Sequence, residues 1–249
     1  MNAPRLDRHR LPHHIAVIMD GNGRWARQRG RPRVFGHRAG SKAVRRVVRA
    51  CRRLGIEVLS LYAFSAQNWG RPADEVHHLM DLLGEFIIKE WQEIMERGIR
   101  VVHIGAIRRV PAEVRSRLKA LELASQRNRD MTLVLALSYG GREEIVRGAQ
   151  RLVSRAAAGK LRPADVDADC FSRALYTAGL PEPELLIRTG GERRISNFLL
   201  WQCAYTELFF TDVLWPDFKV ADLRAAIIDF QGRSRRFGLT GEQWEERDG

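Results

Sequence analysis

The sequence is short of cysteine pairs and long apolar runs, and each shortage removes a class of protein. Its three cysteines, Cys51, Cys170 and Cys203, stand far apart without a CxxC pair. This spacing argues against a disulfide framework or a zinc site and fits a reducing cytoplasm. No apolar run is long enough to span a bilayer. The familiar nucleotide signatures are also missing, because residues 21–23 lack the third glycine of the dinucleotide fingerprint and no phosphate-binding P-loop motif occurs.

Positive charge is concentrated near the start of the chain. The net charge is +12, and residues 1–53 hold 15 Lys and Arg against only Asp7 and Asp20, a net of +13, so the remainder carries −1. Two interpretations compete: a nucleic-acid-binding arm, or a pocket for a polyanionic small molecule. Genome composition can explain why only five of the 42 basic residues are lysine, but it does not explain the clustering.

Short apolar runs alternate with helical patterns along the chain. Six runs predict buried strands, at 13–19, 55–64, 99–105, 131–138, 184–188 and 207–210. Helices are predicted over 39–54, 73–97, 112–127, 142–158, 169–178, 196–205 and 219–232. This alternation predicts a single-domain α/β fold, a mainly parallel six-stranded sheet flanked by helices. Residues 1–249 are expected to form that domain, with flexible ends at 1–12 and 239–249.

Polar loops that contain glycine follow four of the predicted strands. They are DGNGRW (20–25), SAQNWGRP (65–72), YGGRE (139–143) and TGGERRISN (189–197). Ligands of open α/β sheets bind at the carboxyl ends of the strands. The loops are therefore expected to meet in one site.

The first loop combines anion-binding groups with one carboxylate. Glycines around Asn22 leave backbone N–H groups free to face an anion, and Arg24 adds a planar cation. Arg33 and His37 precede the predicted start of the next helix, a position that favours phosphate. Asp20 in this basic setting indicates Mg²⁺, which binds one or two carboxylates together with substrate phosphate oxygens. The alternative is a tight turn in which Asp20 caps the following helix.

A second cluster follows the fifth predicted strand and contains Arg188, Arg193, Arg194 and Ser196. Ser196 lies near the start of the predicted helix 196–205, where an anion would be favoured. Glu207 follows that helix and could give a metal its second carboxylate, although a surface role suits it better when it is taken alone. Asn68, in the second loop, suits orienting or relaying a proton, because an amide is barely basic.

The pattern offers two basic pockets of diphosphate size, one carboxylate for Mg²⁺ and no evident nucleophile. Cleavage by an activated serine or cysteine does not fit this pattern. Transfer between two diphosphate substrates fits, because electrostatics assist a leaving diphosphate and positioning supplies much of the remaining rate enhancement.

Five segments in chain order resemble the signatures of the cis-prenyltransferases, typified by bacterial undecaprenyl diphosphate synthase: HIAVIMDGNGRWA, GHRAG, LYAFSAQNWGRP, LSYGGR and IRTGGERRISNFLLWQCAYTELFFTDVLWPDF. The resemblance runs from about residue 13 to residue 238. It implies a homodimer that condenses isopentenyl diphosphate with an allylic diphosphate, such as farnesyl diphosphate, and requires Mg²⁺. Undecaprenyl diphosphate, the precursor of the cell-wall lipid carrier, is the expected product. A short- or medium-chain cis product is the alternative.

The resemblance also implies roles for single residues. Asp20 would hold Mg²⁺ with a contribution from Glu207, and Asn68, aided by Ser65, would assist loss of the C2 proton of isopentenyl diphosphate. The allylic diphosphate would contact Gly21, Asn22, Gly23, Arg24, Trp25, Arg33 and His37. The loop closing over the substrates would include Ala66, Gln67, Trp69, Arg71 and Glu75. Isopentenyl diphosphate would contact Arg188, Arg194, Ile195 and Ser196, and Arg236 and Gly238 would reach the partner subunit's site.

Three positions depart from the commonest pattern of the family. Gln67 stands where many members have Glu, Gly70 where many have Asn, and Arg193 where His or Gln is frequent. None removes a diphosphate ligand, so activity is expected, although loop closure and rate can differ. The growing hydrocarbon is expected in a tunnel between helix 73–97 and the sheet, lined by Leu79, Leu82, Leu83, Phe86, Ile87, Leu133 and Leu135, with Met131 at its floor. Plain core packing explains each of these residues equally well.

Two other kinds of protein fit the sequence less well. A nucleic-acid-binding protein would carry base-stacking aromatics on an exposed sheet or a helix-turn-helix, whereas Trp25 and Trp69 lie in loops. A non-catalytic scaffold subunit would lack the aspartate and the diphosphate arginines, which this chain keeps. We therefore expect a cytoplasmic enzyme with no nucleic-acid partner and a peripheral membrane contact through its lipid product.

Overall fold

A six-stranded parallel sheet forms the centre of the computed structural model, which describes residues 5–233. The strands are β1 (His14–Ile18), β2 (Val58–Ser65), β3 (Ile99–Ile104), β4 (Met131–Tyr139), β5 (Leu185–Arg188) and β6 (Glu207–Phe210). They lie in the order β3-β4-β2-β1-β5-β6, and every neighbouring pair is parallel. The predicted mainly parallel six-stranded sheet is confirmed.

Seven α-helices occur among the described residues. They are α1 (Asn22–Arg27), α2 (Arg33–Leu54), α3 (Ala73–Glu96), α4 (Ala112–Ser125), α5 (Gly141–Ala157), α6 (Ala168–Ser172) and α7 (Val220–Gln231). In α3 the buried residues Met80, Gly84, Ile87 and Ile94 recur every three or four positions or at a multiple of that spacing, so they lie along one face. No helix in this part of the chain is both long and apolar enough to cross a bilayer.

The sheet is covered on both faces, as the strand sequences require. Every residue of β1 is buried. Because successive side chains point to opposite faces, Ile15 and Val17 join the larger core beneath α2 and α3, while Ala16 and Ile18 join a smaller core that contains Phe198. Burial of both faces explains why the strands read as continuous apolar runs in the sequence.

Several predicted helix boundaries are wrong. Residues 196–205 form turns rather than a helix, and the helix predicted over 169–178 is confined to α6. The glycine-containing loop after β1 turns at once into α1, and α2 begins at Arg33, so His37 lies inside the helix rather than before it. The run Ser196–Tyr205 is apolar enough to read as a helix, but Ser196 and Asn197 have φ angles of 49° and 64°, which end any helical register.

The first described residues contact the end of α7. Gln231 accepts a hydrogen bond from the Asp7 N–H at 3.1 Å, and its Nε2 donates to the carbonyls of Asp7 and Arg10 at 2.6 and 2.9 Å. Asp7 and Arg10, which belong to the segment 1–12 that was expected to be flexible, therefore contact α7. The expected flexible tail, 239–249, and the positions Arg236 and Gly238 lie outside the described residues.

Candidate active site

A cavity of about 220 Å³ opens beside the carboxyl ends of β1, β2 and β4. Its mouth is polar and includes Asp20, Gly21, Asn22, Gly23, Arg33, His37, Asn68 and Arg71. Its depth is apolar and includes Val44, Leu61, Leu79, Leu82, Leu83, Phe86, Leu135 and Leu137. Two of the four loops expected at this edge, those after β1 and β2, thus line one cavity that has basic groups at one end and apolar side chains at the other.

Asp20 is the carboxylate at the centre of this edge. One carboxylate oxygen accepts a hydrogen bond from Arg188 Nη2 at 2.9 Å; the other lies 3.3 Å from Arg24 Nη2 and accepts the Gly21 N–H at 2.6 Å. The Asp20 side chain is 32% exposed, whereas that of Arg188 is 4% exposed. The Asp20 carbonyl accepts the Thr189 hydroxyl at 2.7 Å, which ties the backbone after β1 to that after β5.

The close approach of these two loops depends on Gly190. Its φ of 84° lies in the left-handed region, which favours glycine. A Cβ at this position would stand 2.6 Å from Arg24 Nη2 and 3.1 Å from the Asp20 carbonyl oxygen. A side chain here would separate the carboxylate from its arginines.

Arg188 is held by several partners at the end of β5. Its Nη1 donates to Ser196 Oγ at 2.6 Å and to the Arg194 carbonyl at 2.5 Å. Ser196 therefore acts through its hydroxyl and not through a helix N-terminus, which corrects the sequence prediction. The exposed Arg194 side chain pairs with Glu192 at 2.5 Å, and Ile195 packs on the smaller core. Arg188 Nε is buried without a hydrogen-bond partner among the described residues.

A second acidic residue, Glu75, contacts three basic residues at the mouth of the cavity. Its Oε1 accepts a hydrogen bond from Arg71 Nη1 at 2.9 Å and lies 3.6 Å from Arg33 Nε and 3.8 Å from His37 Nε2. Burial, and then the positive charge of Arg71, lower the pKa of His37 from 6.5 to about 4. His37 is therefore a neutral hydrogen-bonding group at neutral pH.

The loop after β2 begins with a 3₁₀ turn, Ala66–Gly70, that carries Gln67, Asn68 and Trp69. Asn68 Oδ1 accepts the Ser65 N–H at 3.1 Å. Trp69 Nε1 donates to Ser138 Oγ at 2.9 Å, which joins this loop to the end of β4. The asparagine carboxamide is thus anchored by its oxygen and keeps its NH₂ group as a donor.

Trp25 and Glu207 contact residues other than Asp20. Trp25 Nε1 donates to Asp217 Oδ1 at 2.8 Å, and the Arg29 guanidinium lies 4.1 Å from its ring centroid. Glu207 opens β6 and pairs with Arg233 at 2.7 Å, whereas Asp20 follows the carboxyl end of β1. The structure does not bring Glu207 and Asp20 together within one chain.

No group of three or more His, Cys, Asp or Glu side chains in residues 5–233 is arranged to hold a metal. Asp20 alone meets a requirement of Mg²⁺, because Mg²⁺ can take one protein carboxylate and complete its shell with waters and substrate phosphate oxygens. The half-buried carboxylate on the cavity wall fits that ion only together with a phosphate-bearing ligand.

The depth of the cavity contains most of the predicted tunnel residues. Leu79, Leu82, Leu83, Phe86 and Leu135 line it, whereas Ile87 and Met131 are buried in the core at 1% exposure each. Phe86 and Leu133 also border a small neighbouring cavity of about 10 Å³. Sequence reasoning missed Tyr62, Ala63 and Val44 as wall residues, and it gave no role to Glu143 or Asn197, although both lie in loops that it had placed at this edge.

Comparison with known proteins decides the family. The family profile described as "Putative undecaprenyl diphosphate synthase" matches residues 18–238. The chain belongs to the cis-prenyltransferase family. The resemblance drawn from the sequence is thereby confirmed, and cis-prenyl transfer is the class of reaction.

Relatives and solved structures agree with this assignment. The chain is 51% identical to an isoprenyl transferase of Clostridium perfringens over 92% of this chain and 90% of the relative. It is 50% identical to the ditrans,polycis-undecaprenyl-diphosphate synthase ((2E,6E)-farnesyl-diphosphate specific) of Xanthomonas axonopodis pv. citri, over 94% and 91%. A lavandulyl diphosphate synthase from Lavandula x intermedia, crystallised with dimethylallyl diphosphate, is 38% identical with a TM-score of 0.90 and covers 92% of this chain and 99% of its own.

Proposed function

We propose that this cis-prenyltransferase condenses isopentenyl diphosphate with farnesyl diphosphate and extends it to undecaprenyl diphosphate. The contact between Asp20 and Arg188 carries the proposal, because it joins the loops of the two predicted diphosphate sites across 2.9 Å. The names of relatives about half identical to this chain support the primer and the product.

The allylic diphosphate occupies the mouth between α1 and α2. Arg33, His37 and Arg71 converge there, and the first N–H groups of α1 have no partner within the helix. His37 contributes a hydrogen bond from its ring. The hydrocarbon then enters the apolar depth beside α3, which places its C1 carbon toward Asp20.

Asp20 is the residue that would hold Mg²⁺ beside the allylic diphosphate. When bound, Mg²⁺ neutralises the charge that develops on the departing diphosphate. Arg24 and Arg188 flank Asp20, so the same carboxylate that binds the ion is oriented by two guanidinium groups. These arginines keep the site positive and favour an anionic leaving group.

Isopentenyl diphosphate is held by Arg188, Arg194 and Ser196. This places its C4 carbon against C1 of the allylic substrate. The C1–O bond breaks as the new C4–C1 bond forms, and the diphosphate leaves with the electron pair. The C2–H bond of isopentenyl diphosphate then breaks, its electron pair forms the C2=C3 double bond, and the proton passes to a diphosphate oxygen. Asn68 orients the substrate for this loss through its free NH₂ group, since its oxygen is already engaged by Ser65.

The remaining features belong to the same proposal. Glu207 reaches a metal only if a second subunit brings it there, which is consistent with a homodimer. The three cysteines form no disulfide within residues 5–233, which suits a cytoplasmic enzyme that contacts the membrane through its product. A shorter product is the second candidate, and it is favoured by Phe86, which separates the main cavity from the small cavity beneath it.

The experiment is incubation with farnesyl diphosphate, labelled isopentenyl diphosphate and Mg²⁺, followed by sizing of the products. We expect incorporation of label into a series of products that ends near eleven isoprene units, about 55 carbons. Failure to incorporate label from any allylic primer of two to four isoprene units would contradict the proposal. A series from farnesyl diphosphate that ends at four or five units would assign the short-chain alternative.

A further inference from the structure

Glu143, a carboxylate with no role so far, joins two of the loops that form the site. It lies exposed in the first turn of α5. Its Oε1 accepts a hydrogen bond from Gln67 Nε2 at 3.3 Å, and its Oε2 accepts one from Asn197 Nδ2 at 2.9 Å. One side chain therefore bridges the loop after β2 and the loop after β5.

Each residue that Glu143 holds is the sequence neighbour of a proposed substrate-binding residue. Gln67 precedes Asn68, and Asn197 follows Ser196. The φ angles of Ser196 and Asn197, 49° and 64°, lie in the left-handed region, where residues other than glycine are disfavoured. Contacts outside the loop must therefore stabilise this backbone, and the bond to Glu143 is one of them.

Asn197 is fixed on its other side as well. Its Oδ1 accepts the Arg142 N–H at 2.9 Å, and its carbonyl accepts the Gly141 N–H at 2.7 Å. Since the amide oxygen is used by a main-chain donor, the NH₂ group must face an acceptor, and Glu143 supplies it. The first turn of α5 thus holds Asn197 through main chain and side chain together.

The bridge also requires glycine at position 140. A Cβ on Gly140 would stand 2.1 Å from Glu143 Oε2 and 2.7 Å from Asn197 Nδ2. Those two atoms are the partners in the bridge, so a side chain at this position would force them apart.

We propose that Glu143 is a positioning residue for the condensation, which sets the distance between Asn68 and the isopentenyl diphosphate held at Arg188 and Ser196. The inference rests on the proposed function. It also makes Gln67 and Glu143 a matched pair, because the amide at 67 donates to the carboxylate at 143. A carboxylate at 67 would instead face a second carboxylate, and two like charges at this distance repel.

Exchange of the two groups tests the pairing. In Gln67→Glu the bridge is lost to repulsion. In the double variant Gln67→Glu, Glu143→Gln, the new amide donates to the carboxylate at 67 and its oxygen accepts from Asn197, so both bonds return. Glu143→Ala removes both. Glu113→Ala is the matched control, since Glu113 is also an exposed glutamate in the first turn of a helix, α4, and pairs with Arg117 on the same helix.

Steady-state kinetics with each substrate varied in turn, and thermal unfolding, are the measurements. We expect Glu143→Ala to raise the KM for isopentenyl diphosphate and lower kcat, with kcat/KM falling about five- to tenfold, the effect of one or two exposed hydrogen bonds to a charged group. The KM for farnesyl diphosphate should stay within about twofold, because the bridge does not touch Arg33 or His37. Gln67→Glu should show the same loss, and the double variant should recover most of it.

The outcomes separate the inference from the proposed function. If Glu143→Ala has the same kinetic constants as wild type, the positioning role is wrong but the proposed reaction still stands. The same holds if kcat/KM of the double variant is no higher than that of Gln67→Glu. Absence of turnover in the wild-type enzyme would overturn the proposed function and the positioning role with it. If Glu143→Ala lowers both the unfolding temperature and kcat but leaves the KM for isopentenyl diphosphate unchanged, the residue has only a structural role.

Discussion

The Asp20 carboxylate and the Arg188 guanidinium, 168 positions apart in the chain, meet at 2.9 Å between the ends of β1 and β5. Asp20 is half-exposed and faces the cavity, whereas Arg188 is buried beneath it and anchored to Ser196 and Arg194. In the proposed function, Asp20 would bind the metal and Arg188 would bind isopentenyl diphosphate, so one hydrogen bond would link the two substrate sites.

Substitution of Arg188 by lysine tests the second diphosphate site. Lysine keeps the charge but loses the planar fork that contacts Asp20, Ser196 and Arg194 together. We expect the KM for isopentenyl diphosphate to rise about tenfold, the effect of one charge-assisted hydrogen bond, with a smaller change for the allylic substrate. Arg129→Lys, an exposed residue before β4, is the control. An unchanged KM for isopentenyl diphosphate would remove Arg188 from that site.

Phe86 is expected to limit the length of the product. It lines the depth of the main cavity and also borders the small cavity beside Ile94 and Leu133. Phe86→Ala should join the two spaces and shift the products toward longer chains by at least one isoprene unit. Ile88→Ala, 56% exposed on the same helix, should leave the distribution unchanged. A distribution that shortens or stays the same in Phe86→Ala would show that the stop lies elsewhere.

The stability of the fold is expected to fall in mild acid because of His14. This residue is 1% exposed, and its ring nitrogens contact the Pro181 carbonyl and Ser60 Oγ, each at 2.8 Å. Burial lowers the pKa of His14 from 6.5 to about 4. Below pH 6.5, His14 takes up a proton in the unfolded chain but stays neutral in the folded chain. The free energy of unfolding therefore declines from pH 6.5 to about pH 4, where the contribution of His14 levels off.

The size of this acid effect follows from the shift. A fall of the His14 pKa from 6.5 to about 4 corresponds to roughly 3 kcal/mol of stability lost across that pH range. Urea unfolding at a series of pH values measures it, and His14→Gln, which cannot take up the proton, should flatten the profile. His37, whose pKa is also lowered to about 4, adds a similar slope that His14→Gln leaves in place. Equal slopes in wild type and variant would contradict the assignment to His14.

The sheet was predictable because its strands are buried on both faces. Runs such as residues 13–19 and 131–138 are mostly apolar, and their observed bounds, His14–Ile18 and Met131–Tyr139, differ from the predicted ones by at most one residue. The segment Ser196–Tyr205 was wrongly predicted to be a helix because it too is mostly apolar. Its Phe198 and Leu199 are fully buried, but tertiary bonds to the first turn of α5 hold the backbone in turns instead of a helix.

The sequence predicted which loops form the candidate site, but it did not predict which side chains contact each other there. Parallel strands bring their carboxyl ends together, so the loops with Asp20, Asn68 and Arg188 were expected at one edge. Which side chains would then pair depends on register and rotamers across long sequence separations. The convergence of Arg33, His37 and Arg71 on Glu75 could not be read from spacing, nor could the pairing of Glu207 with Arg233.

The most direct test of the central claim compares wild type with Asp20→Asn. The measured quantity is the rate at which label from isopentenyl diphosphate enters farnesyl-primed products in the presence of Mg²⁺. Asparagine keeps the size of the side chain and one acceptor for Arg188, so circular dichroism should show an intact fold. The account predicts that the variant loses at least about a hundredfold in rate, the usual cost of removing a group that stabilises developing charge, and that chelation of Mg²⁺ stops the wild-type reaction. A folded Asp20→Asn variant that turns over at the wild-type rate would contradict it.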